Sequence, residues 1–221
     1  VHFSFAETLP KERRVHLSLA KIFRQYGSIL KDGSFRTPML AMASFSGLLF
    51  CYITASSALM IETLQFSEKT FALLFGVNAF GIMLFSLLNS KLVKKVGLLP
   101  MLQLGGSIQL MGAVLLGLMA YLPTPNLYVV LLGMFLVVSA IGFTSPNATA
   151  LAMSKQKERA GVASALLGSI QFAFGLIAGL VFSSLAWGTL ANMALVMLVY
   201  ALIGLICVGI LRARAKKSRS L

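Results

Sequence analysis

The sequence predicts an all-α, polytopic membrane protein with six transmembrane helices, and three observations predict it. Apolar residues make up 58% of the 221-residue chain and charged residues 11%, far from the balance of a water-soluble domain. The charges are also segregated. Residues 38–61, 71–90, 98–122, 127–153 and 160–211 contain no Asp, Glu, Lys, Arg or His. Finally, the basic residues recur on every second connection. A span needs about 20 apolar residues, so the last block divides in two where Ser183-Ser184, Trp187-Gly188-Thr189 and Asn192 interrupt it. The spans are then A 38–61, B 71–90, C 98–122, D 127–151, E 161–184 and F 189–211.

Orientation follows from the same charges. The segment before A holds Lys11, Arg13, Arg14, Lys21, Arg24, Lys31 and Arg36; connection B–C holds Lys91, Lys94 and Lys95. Connection D–E holds Lys155, Lys157 and Arg159, and the tail after F holds Arg212, Arg214, Lys216, Lys217 and Arg219. Of the 19 basic residues only Lys69 falls on the opposite side. The positive-inside rule makes the basic side cytoplasmic, so both termini are expected inside. The net charge of +13 is thereby a topology signal. A nucleic-acid-binding chain is also basic, but nucleic-acid binding gives no reason for this alternation. Cys51 and Cys207 lie within spans and read as small apolar residues. No Cys spacing suggests a metal site, and no cofactor is expected.

The first residue is Val, and the chain reads as one that starts within a longer protein. Val1–Thr8 followed by the Glu7–Arg14 charged run looks like the end of a preceding span. From Val15 to Leu30, a helical face gathers Leu19, Ile22, Phe23, Tyr26 and Leu30. That helix lies on the membrane surface or packs on the loops. Asp32-Gly33 ends it, and Pro38 is expected to open span A, where its missing donor costs nothing. The domain plan is 1–37 for the end of a preceding span plus linker, 38–211 for the six-helix domain, and 212–221 for a basic tail.

The organising stretch is 127–185. In span D, Pro146 removes the backbone bond to the Gly142 carbonyl, which hydrocarbon tolerates only where protein or a cavity re-satisfies that group. Gly142 and Pro146 therefore read as a helix hinge. On span E, Gly161, Ser164, Gly168, Gln171, Gly175 and Gly179 share a face, a pattern that suits close helix packing. Polar side chains within spans face protein or water. Spans A, B, D and E carry most of them and are expected to surround a pathway, with C and F outside. The candidate substrate-binding residues are Tyr52 and Ser56 (four apart on A), Asn78, Asn147 and Gln171, each as a cavity lining or an interhelical bond. Six spans also divide into two groups of three in opposite orientation, the inverted-repeat plan of many secondary transporters.

Four segments in order carry a resemblance: Glu7–Arg14, Asn89-Ser90-Lys91-Leu92-Val93-Lys94-Lys95-Val96-Gly97, Ser145-Pro146-Asn147-Ala148, and Ala160–Gly168. Together they resemble the C-terminal half of the bicyclomycin-resistance (Bcr/CflA) drug efflux transporters of the major facilitator superfamily. The resemblance implies a twelve-span bacterial inner-membrane drug:proton antiporter of the bicyclomycin/sulfonamide type, of which this chain is the central linker and last six spans, a 3+3 inverted repeat. Asn89, Lys91, Lys94, Lys95 and Gly97 look like a degenerate cytoplasmic loop motif. The family motif has an acidic residue near its start where this chain has Asn89-Ser90, which favours a topology anchor.

Partners follow: the lipid bilayer, a small lipophilic drug, and protons. Proton coupling needs a titratable group within the membrane. No span here carries a carboxylate or histidine, and Glu62 sits at an outer end. The coupling acid is therefore expected in an N-terminal half. An intramembrane protease needs a buried Ser–His pair, and no span contains His. The alternative readings are a major facilitator exporting sugars or other metabolites, and a membrane fragment that transports nothing.

Overall fold

The computed structural model describes residues 19–217. The apolar start of the chain, the Glu7–Arg14 run, His2, His16 and the end of the basic tail lie outside the described residues. The chain folds as α1 (Leu19–Lys31), α2 (Gly33–Ser57, continued by a π-helical turn Ala58–Thr63), α3 (Glu68–Val96) and α4 (Leu98–Ala120). It continues as α5 (Leu127–Ser139), α6 (Ile141–Met153), a 3-10 turn (Lys157–Arg159), α7 (Ala160–Ser184) and α8 (Thr189–Lys217). With α5 and α6 counted as one broken span, six helices among the described residues are long and apolar enough to cross a membrane. Among the described residues there is no strand.

The boundaries show what hydropathy alone misses. Asp32 caps α2, its Oδ1 accepting from the Ser34 backbone N–H at 2.8 Å and the Ser34 hydroxyl at 2.7 Å. This cap satisfies first-turn donors, so α2 starts at Gly33 and Pro38 lies inside the helix rather than opening it. The expected nine-residue connection Asn89–Gly97 is also mostly helix. α3 runs to Val96, and the turn is Gly97 alone at φ +93°, a conformation that favours glycine. Lys91, Lys94 and Lys95 ride exposed on the last turns of α3, where cations complement the helix dipole. The first part of the tail, Arg212–Lys217, continues α8. At the opposite side, Ser67 caps α3 and Asn126 caps α5, the latter accepting from the Tyr128 and Val129 N–H groups.

The spans interlock as two groups of three. α2 packs on α7 and α8, the last two spans of the second group; α5–α6 packs on α3 and α4, the last two of the first. α4 meets α8, and α2 meets α6, across the centre. The two groups are thus related by exchange, as opposed three-span repeats would be. α1 packs on α2 and α7 with Ile29 buried and Tyr26 and Leu30 half-buried.

Spans C and F are not peripheral. In α4 and α8, 44% of the apolar window is buried, against 11% in α3 and 22% in α7. Glycine explains the difference: Gly106 and Gly204 let α4 and α8 close on the Phe45 ring, and Gly112 approaches Gly133. A count of polar side chains does not register such contacts. The glycine stripe of α7 divides in the same way. Gly175 receives Phe50 and Gly179 faces Thr54, whereas Gly161 and Gly168 meet none of the described residues.

Gly142 is the tightest backbone approach at the break. A Cβ there would stand 2.5 Å from the Ser86 nitrogen and 2.7 Å from the Ile82 oxygen, both main-chain atoms of α3. Gly142→Ala is expected to push α3 away and destabilise the bundle by about 1–3 kcal/mol. Gly161→Ala, in open space, should leave thermal unfolding in detergent unchanged, and equal melting temperatures for the two variants would refute the contact.

Candidate functional site

Two polar pairs lie inside the bundle, and α3 contributes to both. Asn78 Nδ2 donates to the Tyr52 hydroxyl at 2.9 Å, joining α3 to α2, and Tyr52 stacks on Phe75 with ring centroids 5.5 Å apart. Asn147 Nδ2 donates to Asn89 Oδ1 at 2.7 Å, joining α6 to α3, and also to the Phe143 carbonyl one turn back at 2.6 Å. Tyr52, Asn78, Asn89 and Asn147 are all buried. Buried polar groups of this kind are kept only when bonded, and these four satisfy one another. Asn89, read from sequence as part of a loop motif, is a bundle residue. Its spacing of eleven from Asn78 is three helical turns, which places both on one face.

The other predicted residues fall elsewhere. Ser56 is buried one turn beyond Tyr52, and its hydroxyl has no protein partner. Gln171 is half-buried on α7, which packs against α2, and belongs to neither pair. Beside it the exposed Phe172 ring meets Phe50 at 5.4 Å. Pro146 is exposed on α6, while the helix breaks at Ala140, whose N–H reaches the Leu136 carbonyl at 3.2 Å. Gly142 lies between the break and the proline, against α3. Next to Asn78 opens an apolar crevice of about 240 Å³, lined by Met60, Leu74, Val77, Leu131, Leu132 and Phe135. Its walls are suited to a lipophilic molecule, with one amide to orient it. Glu62 is exposed in the π-helical turn.

The basic side is tied by a second polar group. Gln156 Nε2 donates to Asp32 Oδ2 at 3.0 Å, and Arg159 Nη1 donates to the Ser28 hydroxyl at 3.0 Å. These bonds fasten the α6–α7 connection to the α1–α2 junction around a recess of about 460 Å³. Arg214 of α8 reaches the same junction, donating to the Gly33 carbonyl at 2.8 Å and the Thr37 hydroxyl at 3.1 Å. The Ser34 hydroxyl and then its N–H hold the Asp32 carboxyl below its ordinary value, with Gln156 and the Lys155 charge adding to the effect. Sequence reasoning missed this group, because its members are far apart in the chain and individually ordinary.

Six apolar spans, interlocked in two groups of three and joined by buried polar pairs, define an all-α membrane protein built of opposed repeats. The chain matches the major facilitator superfamily over residues 5–180. It belongs to that superfamily, a family of membrane transporters and not of enzymes. A protein named bicyclomycin resistance protein homolog, from Haemophilus influenzae, is 33% identical over 220 residues, covering 99% of this chain and 55% of the relative. The uncharacterized MFS-type transporter YdgK of Bacillus subtilis is 29% identical over 171 residues, 77% of this chain and 42% of the relative. The chain thus spans about half the length of the curated relatives it matches.

Two outcomes are expected from the site. In a double-mutant cycle, Asn89→Ala and Asn147→Ala should couple by about 0.6 kcal/mol, and at most roughly 1.7, the range for interhelical bonds in membranes. Additive effects on unfolding would remove the pair. Asp32 has a lowered folded pKa, so its contribution is present above the usual carboxylate range and lost as pH falls through the folded value. A spin label at Lys157 should therefore gain mobility on acidification, and Asp32→Asn should abolish that pH dependence.

Proposed function

We propose that this chain is the C-terminal half of a proton-coupled multidrug efflux antiporter of the bicyclomycin/sulfonamide type in the bacterial inner membrane. The observation that carries the reading is the 33% identity, over 99% of the chain, to a protein named for bicyclomycin resistance. The exposed apolar faces of α3 (Leu73, Phe80, Leu87) and α7 (Phe172, Leu176, Leu180) suit packing against a second six-helix half as well as lipid. In this reading the basic side and both termini are cytoplasmic, because lysines and arginines are retained there.

Substrate would reach α3 and α7 from between the halves. Gln171, with no protein partner among the described residues, is the amide free to meet it. Tyr52, Asn78 and Asn147 spend their polar groups on each other and on Asn89, so they set the shape of the wall. The mixture of apolar surface and uncharged amides favours a lipophilic drug over a sugar or an acid. The proton-binding carboxyl belongs to the other half, since spans A–F carry no acid within their apolar blocks. The bend at Ala140–Pro146 would let α6 move against α5 as access alternates.

The test is drug susceptibility of an efflux-deficient bacterium producing the complete transporter that contains this chain. Bicyclomycin tolerance should rise, and everted vesicles should show drug-dependent proton movement. Gln171→Ala should change the relative tolerance to different drugs while membrane insertion is retained. Unaltered susceptibility to every compound would remove the efflux reading, and labelling of Lys94 from the cell exterior would remove the orientation.

A further inference from the structure

Gln109 is a long amide in the middle of α4, fully buried, and neither the polar pairs nor the basic-side group uses it. Its Nε2 donates to the Val137 carbonyl of α5 at 3.1 Å and lies 3.4 Å from the Phe45 carbonyl of α2. Val137 is in the last turn of α5, three residues before the break at Ala140. The last four carbonyls of a helix lack helical donors, and in hydrocarbon an unpaired carbonyl costs several kcal/mol. The Ala140 N–H serves Leu136; the Gln109 side chain serves Val137.

One turn earlier on the same face of α4, Gly105 abuts the other side of the break. A Cβ on Gly105 would stand 2.7 Å from Phe143 Cβ and 2.8 Å from Thr144 Cγ2, in the first turn of α6. α4 therefore grips the bent span on both sides, by contact at Gly105 and by hydrogen bond at Gln109. We infer that Gln109 is a positioning residue that holds the bend of span D, bonding the carbonyl left by the break and tying it to α2. Through the bend it sets the direction of α6 and so the place of Asn147. The inference concerns the bend alone and requires no substrate assignment.

The sequence supplies a specific probe. Residues 1–221 contain two Val-Val pairs, Val129-Val130 and Val137-Val138, so within them combined 13C-carbonyl and 15N valine labelling reports the Val129 and Val137 carbonyls alone. In the full chain in lipid nanodiscs, Gln109→Met should move the Val137 carbonyl resonance and leave Val129 as an internal reference. A second readout is the distance between spin labels at the exposed positions Tyr128 and Lys155, at the two ends of the broken span. At 1.5 Å per residue that distance is about 40 Å, and its distribution should broaden in Gln109→Met. Cys51 and Cys207 are replaced by alanine for this measurement.

Gln109→Glu retains one donor in its protonated form, so at acidic pH it should restore part of both signals. Met193→Ala, a buried position on α8, which packs on α2 and α4, should lower the melting temperature and move neither signal. Should Gln109→Met fail to insert, Gln109→Asn, too short to reach Val137, carries the same comparison. An unmoved Val137 resonance overturns the inference. So does a moved resonance with the distance distribution unchanged, since the bond would then exist without holding the bend.

Discussion

The attachment of α3 is the constraint on which the bundle depends. Of its 29 residues only Asn78, Gly81 and Asn89 are buried, and its apolar contacts, such as Phe71, Leu74 and Ile82, are half-covered. In water a helix this apolar would be driven onto its neighbours. In a bilayer lipid tails are as apolar as leucine, so that drive is absent and packing and hydrogen bonds decide association. α3 is held where two polar pairs and two glycine approaches, Gly81 on Ser139 and Gly142 on the α3 backbone, fix it. With interhelical bonds worth roughly 0.6–1.7 kcal/mol each, the position is well specified and weakly held.

α7 occupies the corresponding place in the second group and is attached by different means. Phe50 seats in the gap at Gly175, Thr54 faces Gly179, and the α7 main chain accepts a bond from the Tyr200 hydroxyl at the Phe174 carbonyl. Its end nearer the basic side is seated instead through Ala163, Leu166 and Leu167, which are buried against α2 and α6. The two flanking helices are therefore equivalent in topology but not in grip: α3 is pinned at two depths by polar pairs, whereas α7 is fitted by shape.

The six spans and their order were legible in the sequence because hydropathy over about 20 residues records the thickness of a bilayer. The ends were less so. Asp32 and the α3 extension through Lys95 are decided by capping and by one glycine at positive φ, which are local choices that a hydropathy window averages away. The site was legible in part. Tyr52, Asn78 and Asn147 stood out as polar groups in apolar surroundings, and the first two prove to be each other's partner, but the partner of Asn147 did not. Asn147 meets Asn89 across 58 residues of chain, and no local pattern encodes that distance. The spacing of Asn78 and Asn89 was the available signal, hidden by reading Asn89 as loop. The central place of α4 was illegible for a related reason: its glycines register as absent side chains, although absence is what admits Phe45 and the bent span.

The link between α3 and α4 has a mechanical consequence. With Gly97 as the whole connection, no slack separates the two helices. Were α3 to swing about its polar pairs, the displacement would be delivered to the first turn of α4 through this one residue. A single elbow would then make a bell-crank of the first group, turning sideways motion at the bundle's flank into a pull at its centre.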